Sequence, residues 1–319
     1  MKGRVLSTGA SSSSNPATHH DSAARQELTA GAGEPGEKGS LYVVATPIGN
    51  LGDVTFRAIE VLKAVSLVAA EDTRLTRRLF SRYEIGTPLV SYHAQSSRAR
   101  ELELLEHLRS GRDLALVTDA GTPLVSDPGA ELTSAWSEEG GQVVPIPGAS
   151  AVLAALVASG LAAAHWSFEG FLPRSGKERR SRLARIAGDE RACVIYEAPP
   201  RVPETLSDLA AAAGGQRRVA ICRELTKMHE EVVRGPVGEL AAAAAAGEIK
   251  LRGEFVLVLE AMTAAEAAAK ELADEPPLSM EDGRTEVALL IAGGMKRSDA
   301  VRQVAASSGL DRRELYRPD

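Results

Sequence analysis

The sequence predicts an α/β protein of two domains followed by a small helical module. Strand-like apolar runs alternate with helical patterns along most of the chain, which indicates βαβ units around a mostly parallel sheet. The chain has 319 residues, a length typical of two domains. Its residues are 44% apolar and 25% charged, as in ordinary globular proteins.

The composition excludes several classes of protein. No run approaches the roughly 18 apolar residues of a membrane span, and the N-terminus lacks the apolar core of a secretory signal. The two cysteines, Cys193 and Cys222, are too few for a disulfide framework. We therefore expect a cytoplasmic protein with no membrane partner. The net charge of −6 argues against a globally basic nucleic-acid coat protein, although local basic patches remain possible.

Residues 1–40 are predicted to form a disordered tail. Ser, Gly, Ala, Thr and Pro make up 24 of these 40 residues, and such a segment buries too little apolar surface to offset its chain entropy. The tail contains a G-x-G-x-x-G pattern from Gly31 to Gly36. This pattern precedes the first predicted strand and contains Pro35, so its context argues against dinucleotide binding.

The remaining chain is divided into four segments. Residues 41–147 are predicted as the first α/β domain, residues 148–262 as the second, and residues 263–283 as an acidic linker. Residues 284–319 are predicted as a helix-turn-helix-like tail, with Ser298 and Asp311 as N-caps.

The apolar patterns of the two α/β domains also predict the individual elements. We predict strands over 41–46, 65–70, 88–91, 114–118, 143–146, 192–196, 219–222 and 255–259. We predict helices over 54–63, 73–82, 98–109, 149–159, 177–187, 202–213 and 237–247.

The segments that follow the predicted strands point to a ligand site. In open α/β sheets, ligands bind beyond the carboxyl ends of the strands. Six of these segments are rich in small or polar residues, Gly and Pro, and several combine acids with arginine, which favours a site over ordinary turns. In order they read TPIGNLGD, EDTR, TDAGTPLVSDPG, PGASA, YEAPPR and RELTK.

Together with AAEDTR and GEFVLVLE, these motifs resemble the ribosomal RNA small-subunit methyltransferase I family of the tetrapyrrole-methylase superfamily. The resemblance covers about residues 41–262, and residues 284–317 resemble the family's C-terminal tail. It implies a two-domain tetrapyrrole-methylase-like fold, with S-adenosyl-L-methionine (AdoMet) in the cleft between domains, and a homodimer. It also implies 2′-O-methylation of a cytidine ribose in the decoding region of 16S ribosomal RNA, on the small ribosomal subunit.

The resemblance also indicates which residues bind the cofactor. AdoMet needs backbone donors and small residues rather than a phosphate-binding loop, and no such loop follows a strand here. No His, Asp or Glu cluster has metal-ligand spacing, so we expect no metal. The expected cofactor residues are Pro47, Ile48, Asp119, Gly121, Thr122, Val125, Ser150, Ala151, Tyr196 and Glu254.

The implied reaction needs help for a poorly nucleophilic ribose hydroxyl, from a general base or a hydrogen-bond network. The candidate bases are Glu71, Asp72, Asp119, His93 and Lys227, and no single one is singled out by the sequence. Asp72 is equally suited to cap the helix that follows it, and a carboxylate beside Arg74 has its pKa lowered, which suits positioning more than proton transfer. The predicted catalytic set is Glu71, Asp72, Arg74 and Lys227.

Contacts to RNA require local positive charge, because the whole chain is acidic. Two segments provide it: four arginines between Arg74 and Arg82 share one helix face, and six basic residues occur between Arg174 and Arg185. Such clusters bind phosphates, although a solvated charged face would look the same. The predicted RNA contacts are Arg77, Arg78, Arg174, Lys177, Arg179, Arg180 and Arg182.

Two other functions are compatible with the sequence. One is a methyltransferase of corrin or porphyrin precursors on the same fold, since an anionic tetrapyrrole could also use arginines. The other is a non-catalytic RNA-binding factor in ribosome assembly. The second would lack AdoMet binding, whereas the loops expected to bind the cofactor are intact in this sequence.

Overall fold

The structure, a computed structural model, describes residues 38–263, 266 and 278–317. The predicted tail up to residue 37, its Gly31–Gly36 pattern and most of the predicted linker lie outside the described residues. No helix in the described part of the chain is both long and apolar enough to cross a membrane.

The first sheet has five strands in the order β3-β2-β4-β1-β5, and all of its pairings are parallel. This confirms the parallel sheet that the alternating pattern predicts. Its strands are β1 (Ser40–Val44), β2 (Leu67–Ala70), β3 (Leu89–Ser91), β4 (Leu114–Val117) and β5 (Gln142–Ile146).

Helices cover both faces of this sheet, which explains why β4 is apolar at every position. Ala115 and Val117 of β4 face one apolar cluster, whereas Leu114 and Leu116 face another. Helices α1 (Phe56–Ala64) and α2 (Thr73–Tyr83) pack in the first cluster, and α3 (Arg98–Arg109) and α4 (Ala130–Glu138) pack in the second. Strands buried on both faces read as continuous apolar runs.

The second sheet has the order β6-β7-β10-β8-β9 and is mixed. Strands β6 and β7 are parallel, and the other neighbouring pairs are antiparallel. Its strands are β6 (Trp166–Phe171), β7 (Ala192–Glu197), β8 (Arg218–Arg223), β9 (Glu231–Pro236) and β10 (Phe255–Leu259), and its helices are α5 (Ala151–Ser159), α6 (Gly176–Ala187), α7 (Val202–Ala213) and α8 (Val237–Ala245).

The two sheets are joined through the inner face of the second one. Helices α6, α7 and α8 pack on its outer face. The inner face buries α5 together with Ile48, which comes from the loop after β1 of the first sheet. Because α5 packs on β8 and β10, we propose the Pro147-Gly148 turn before it as the domain boundary.

Three short helices form the C-terminal module: α9 (Met280–Ala292), α10 (Arg297–Ser308) and α11 (Arg312–Tyr316). They share a small apolar core that includes Val287, Val301 and Leu315. Asp311 caps α11 as predicted. The prediction that Ser298 caps α10 is wrong, because Lys296 occupies the N-cap position and Ser298 lies in the first turn.

Four elements were not predicted from the sequence: α4, β6, β9 and α9. Helix α4 begins after Gly129, which has a positive φ of 119° and makes no side-chain cap. Strand β6 contains a register shift between Phe168 and Gly170, and β9 is an edge strand that ends in Gly235 and Pro236. Helix α9 begins within the segment that the composition assigns to a linker.

A buried polar network holds the segment between β6 and α6. The Glu197 carboxylate accepts a hydrogen bond from the Thr205 hydroxyl at 2.6 Å, and Arg179 donates to the same hydroxyl at 3.0 Å. Arg179 also donates to Asp208 and to the carbonyl of Pro173, and it is only 4% exposed. The prediction that Arg179 contacts RNA is therefore wrong, because its guanidinium is committed inside the fold.

The neighbouring arginines Arg179 and Arg180 provide a test of this network. Replacing Arg179 with Met should lower the free energy of unfolding by about 2–3 kcal/mol, because charged hydrogen bonds and the packing around them are lost. Replacing the exposed Arg180 with Met should change it by about 0.5 kcal/mol or less. Urea unfolding of both variants measures the difference. Equal losses of unfolding free energy would contradict the assignment of Arg179 to a buried structural network.

Candidate active site at the joint between the two sheets

A cavity of about 220 Å³ lies where the loops of the first sheet meet the second sheet. The first sheet contributes the loops that follow β1, β4 and β5. The second sheet contributes the ends of β6 and β7 and the start of β10. The lining residues are Ile48, Ala120, Gly121, Thr122, Val125, Ser126, Asp127, Ser150, Ala151, Phe171, Tyr196, Glu254, Phe255 and Val256.

A backbone bridge ties the loop after β1 to the loop after β4. The Thr46 amide donates to the Gly121 carbonyl at 2.9 Å, and the Gly121 amide donates back to Thr46 at 3.0 Å. Gly121 has a positive φ of 87°, and a Cβ there would lie 3.3 Å from the Ile48 side chain. The backbone conformation therefore favours glycine, and any side chain here would also push the Ile48 methyl group away by a few tenths of an ångström.

The loop after β5 is attached to the same bridge. The Thr122 hydroxyl donates to the Ala149 carbonyl at 3.2 Å. Ser150 then caps α5 by accepting a hydrogen bond from the Leu153 amide. These contacts hold the small residues Ser150 and Ala151 against the cavity, so that three loops of the first sheet form one wall.

The second sheet provides an aromatic wall. The rings of Phe171 and Tyr196 meet edge to face with centroids 5.6 Å apart. Tyr196 pairs with Val256 across the antiparallel β7–β10 ladder. Burial, followed by the negative charges of Asp127 and Glu254, raises the pKa of Tyr196 to about 12, so its hydroxyl remains protonated at neutral pH.

Lys227 lies across the joint. Its Nζ is 2.9 Å from a Glu224 oxygen and 3.0 Å from a Glu254 oxygen. Its side chain also covers Gly49, where a Cβ would lie 2.4 Å from Lys227 Cγ. Burial lowers the pKa of Lys227, but the two carboxylates outweigh burial and the net shift is upward. Lys227 is therefore a fixed cation and not a proton acceptor.

Three carboxylates gather at the carboxyl ends of β2 and β4. An oxygen of Glu71 accepts a hydrogen bond from the Asp119 amide at 3.4 Å, and an oxygen of Asp119 accepts one from the Asp72 amide at 2.9 Å. Burial raises the pKa of Glu71, with the nearby charge of Asp119 adding to it and the Asp119 amide opposing it. The third member, Asp127, lines the cavity.

Asp72 has a different role from its neighbours in the sequence. Its carboxylate caps α2 by accepting a hydrogen bond from the Arg74 amide at 2.8 Å, and it pairs with the Arg74 guanidinium. The hydrogen bonds from Arg74 lower the pKa of Asp72 to about 2. Of the two readings that the sequence left open, the structure places Asp72 as a cap.

His93 and the predicted RNA contacts lie outside the cavity lining. The Nδ1 atom of His93 accepts a hydrogen bond from the Gln95 amide at 3.2 Å. Arg182 lies against Glu169, with its Nε 3.7 Å from the carboxylate. The other predicted contacts, apart from the buried Arg179, are exposed on two segments: Arg77 and Arg78 on α2, and Arg174, Lys177 and Arg180 in and before α6.

Eight of the ten predicted cofactor residues line the cavity: Ile48, Gly121, Thr122, Val125, Ser150, Ala151, Tyr196 and Glu254. Pro47 and Asp119 are adjacent in sequence to lining residues but do not line it themselves. Sequence reasoning missed Asp127 although it lies within the TDAGTPLVSDPG motif. It also missed Ala120, Ser126, Phe171, Phe255 and Val256, which are neighbours of predicted site residues or ends of strands.

The fold and the cavity define a class of protein. Residues 40–241 match the model of the tetrapyrrole (corrin/porphyrin) methylases. Among solved structures, a cobalt precorrin-4 methyltransferase of cobalamin biosynthesis superposes with a TM-score of 0.56 at 16% identity, covering 72% of this chain and 98% of that one. Uroporphyrin-III C-methyltransferase from Thermus thermophilus, complexed with S-adenosyl homocysteine, gives 0.52 at 20% identity, covering 70% and 97%. The fold is that of a tetrapyrrole methylase.

Curated relatives narrow this class. A Synechocystis sp. protein is 46% identical over 278 residues, covering 87% of this chain and 96% of the relative. A Bacillus subtilis protein is 43% identical over 280 residues, covering 88% and 94%. Both carry the name ribosomal RNA small subunit methyltransferase I. The chain belongs to the ribosomal RNA small subunit methyltransferase I family, which confirms the resemblance drawn from the motifs.

The role of Asp72 as a helix cap can be tested by two substitutions. Asp72→Asn should leave the melting temperature almost unchanged, because the amide oxygen still accepts a hydrogen bond at the N-cap, whereas Asp72→Ala should lower it. Thermal unfolding followed by circular dichroism gives both values. Equal destabilisation by Asn and Ala would contradict the capping role.

Proposed function

We propose that this protein uses AdoMet to methylate the 2′-hydroxyl of a cytidine ribose in the decoding region of 16S ribosomal RNA. The observation that carries the proposal is the alignment of almost the whole chain with relatives named ribosomal RNA small subunit methyltransferase I. We further propose that the substrate is the small ribosomal subunit, that the protein acts in the cytoplasm, and that it is a homodimer.

The chemistry of the cavity suits AdoMet. Among the described residues that line it, none is Lys or Arg, and two are the carboxylates Asp127 and Glu254. Such a lining favours a ligand with a positive sulfonium and ammonium over a phosphate-bearing one. Phe171, Tyr196 and Phe255 provide apolar and aromatic surface for an adenine ring. AdoMet supplies an electrophilic methyl group when it is bound.

The proposed roles of the chain's own residues follow from their positions. The wall built on the Thr46–Gly121 bridge would fix the position of the cofactor, and the aromatic wall would exclude water from it. Holding two reactants in line provides much of the acceleration of a displacement reaction. The residues proposed to bind AdoMet are Pro47, Ile48, Asp119, Gly121, Thr122, Val125, Ser150, Ala151, Tyr196 and Glu254.

The basic segments are proposed to hold the RNA. Helix α2 begins beside the carboxylate cluster and carries Arg77 and Arg78 on its exposed face. Arg174 follows the cavity residue Phe171 by three positions. Phosphate contacts from both segments would position a single strand so that its ribose enters the cavity. Arg174, Lys177, Arg180 and Arg182 complete this proposed surface, with Arg179 removed from it.

Transfer of a radiolabelled methyl group from AdoMet to unmethylated small subunits tests the proposal directly. We expect the label in 2′-O-methylcytidine after the RNA is digested. Thr122→Arg should abolish the label and weaken AdoMet binding about 100-fold or more in calorimetry, a loss of roughly 2.7 kcal/mol, because the new side chain fills the cavity. Ser137→Arg, on the exposed surface of α4, is the matched control and should behave as wild type.

Other outcomes of this experiment would overturn the proposal. Label in another nucleoside, or AdoMet binding without any label in RNA, would contradict ribose methylation. In the second case, tetrapyrrole precursors would be the next acceptors to test. Full activity of Thr122→Arg would contradict the assignment of the cavity.

Charge reversal tests the RNA surface. The double variant Arg77→Glu/Arg78→Glu should weaken subunit binding about tenfold or more at physiological salt and reduce the salt dependence of log K by about 1.5. AdoMet affinity should not change. The control is the double variant Lys63→Glu/Arg112→Glu. It alters two exposed residues that precede β2 and β4, and these residues therefore lie at the amino ends of the strands, away from the cavity loops. If both double variants weaken subunit binding equally, the loss comes from net charge, and a specific contact of Arg77 and Arg78 with RNA is rejected.

A further inference from the structure

The proposed reaction requires a group that accepts the proton of the ribose hydroxyl, and the residues predicted for this role are otherwise engaged. Asp72 caps α2, and Lys227 is a cation between two carboxylates. None of Glu71, Asp119 and His93 lines the cavity, and each of the three accepts a backbone hydrogen bond. Asp127 is the member of the carboxylate cluster that lines it.

The turn that carries Asp127 is fixed by the core beneath it. Pro128 follows Asp127 and restricts its backbone. Gly129 has a positive φ of 119°, and a Cβ there would lie 2.6 Å from the Leu116 side chain of β4. The turn therefore sits directly on the core of the first sheet, and this holds the Asp127 carboxylate at a defined place in the cavity wall.

The surroundings of Asp127 are acidic on the side of the first sheet. Burial is the main cause that raises the pKa of Asp127 to about 6, and the negative charges of Glu71 and Asp119 add to it. The backbone of Ser126, the preceding residue, opposes the shift. From the second sheet, Asp127 faces Tyr196, whose hydroxyl remains protonated. A base with a pKa just below neutral is ionised at physiological pH and still takes up a proton readily.

We propose that the Asp127 carboxylate is the general base that removes the proton from the acceptor hydroxyl, an inference that rests on the proposed function. In that step the ribose oxygen forms a bond to the methyl carbon. The carbon–sulfur bond breaks with its electron pair retained by sulfur. The hydroxyl proton passes to a carboxylate oxygen of Asp127 and then to solvent.

Glu71 and Asp119 act through Asp127 as positioning residues. Their charges keep its proton affinity high, because a second negative charge nearby disfavours ionisation. Replacing Glu71 with Gln removes one of these charges, so the midpoint of the rate against pH should move to lower pH. A purely structural role for Glu71 would change the rate without moving this midpoint.

The main test is Asp127→Asn, measured by single-turnover transfer to unmethylated small subunits. At saturating AdoMet the rate should fall about 100-fold or more. The AdoMet dissociation constant measured by calorimetry should rise by about tenfold or less, since Glu254 still supplies a carboxylate to the lining. Glu131→Gln is the matched control, because it removes an exposed carboxylate four residues further along. It should leave both values unchanged.

The pH dependence gives a second readout. In wild type, the rate at pH 5 should be about tenfold below its plateau, because only the ionised carboxylate accepts the proton. This fall in the rate at low pH should be absent in Asp127→Asn. A wild-type rate that is flat from about pH 5 to 7 would contradict the proposal without any variant.

The ligand-free protein provides a readout that does not depend on activity. The folded state holds the Asp127 proton more tightly than the unfolded chain, for which the pKa is 3.8. Folding stability is therefore lost as the pH rises from about 4 through about 6. Asn cannot ionise, so the melting temperature of Asp127→Asn relative to wild type should rise between about pH 4 and 7. If the difference in melting temperature between Asp127→Asn and wild type does not change with pH, the acidic, buried environment assigned to Asp127 is contradicted.

The remaining outcomes separate the two proposals. If wild type labels the ribose and Asp127→Asn does so at the same rate, Asp127 is not the base but the proposed function stands. If Asp127→Asn mainly loses AdoMet affinity, Asp127 binds the cofactor and the inference is overturned. If wild type places no label on ribose, the proposed function itself fails.

Discussion

The two hydrogen bonds between Thr46 and Gly121 are the contact on which the site depends. They join the loops after β1 and β4, which are neighbouring strands in the middle of the first sheet. Because the bridge holds the loop after β1 in place, Ile48 reaches the inner core of the second sheet, where it packs with Val194 and Val256. The bridge thus supports the loop whose Ile48 packs on the second sheet, and Ile48 and Gly121 both line the cavity.

Negative and positive side chains occupy different surfaces around this joint. Carboxylates line or flank the cavity, as Asp127, Glu254 and Glu71 do, whereas exposed arginines occupy α2 and the segment that leads into α6. Lys227, which lies across the joint, is paired with Glu224 and Glu254. An acidic pocket beside basic surfaces suits a reaction that brings together a small cation and a polyanion.

Much of the fold follows from local sequence patterns, because doubly buried strands such as β4 and capped helices such as α2 are specified by nearby residues. Elements whose signals are weak locally were missed, including α4 after its glycine N-cap and β6 with its shift at Gly170. The sequence motifs that follow the strands predicted most of the residues that line the cavity. Asp127 was missed because its environment is created by burial in the folded protein, by Glu71 on another loop and by Asp119, eight residues earlier on the same loop. Arg179 was misassigned because its burial depends on Asp208, 29 residues further along the chain.

A crystal structure of this protein with S-adenosylhomocysteine would show whether the cofactor binds in the cavity supported by the Thr46–Gly121 bridge. We expect the ligand to lie between the Gly121–Thr122 loop and the wall formed by Phe171, Tyr196 and Phe255. The Thr46–Gly121 bridge should be intact, and the Asp127 carboxylate should face the sulfur side of the ligand. Ligand density elsewhere on the protein, or a site reached only by breaking that bridge, would contradict it.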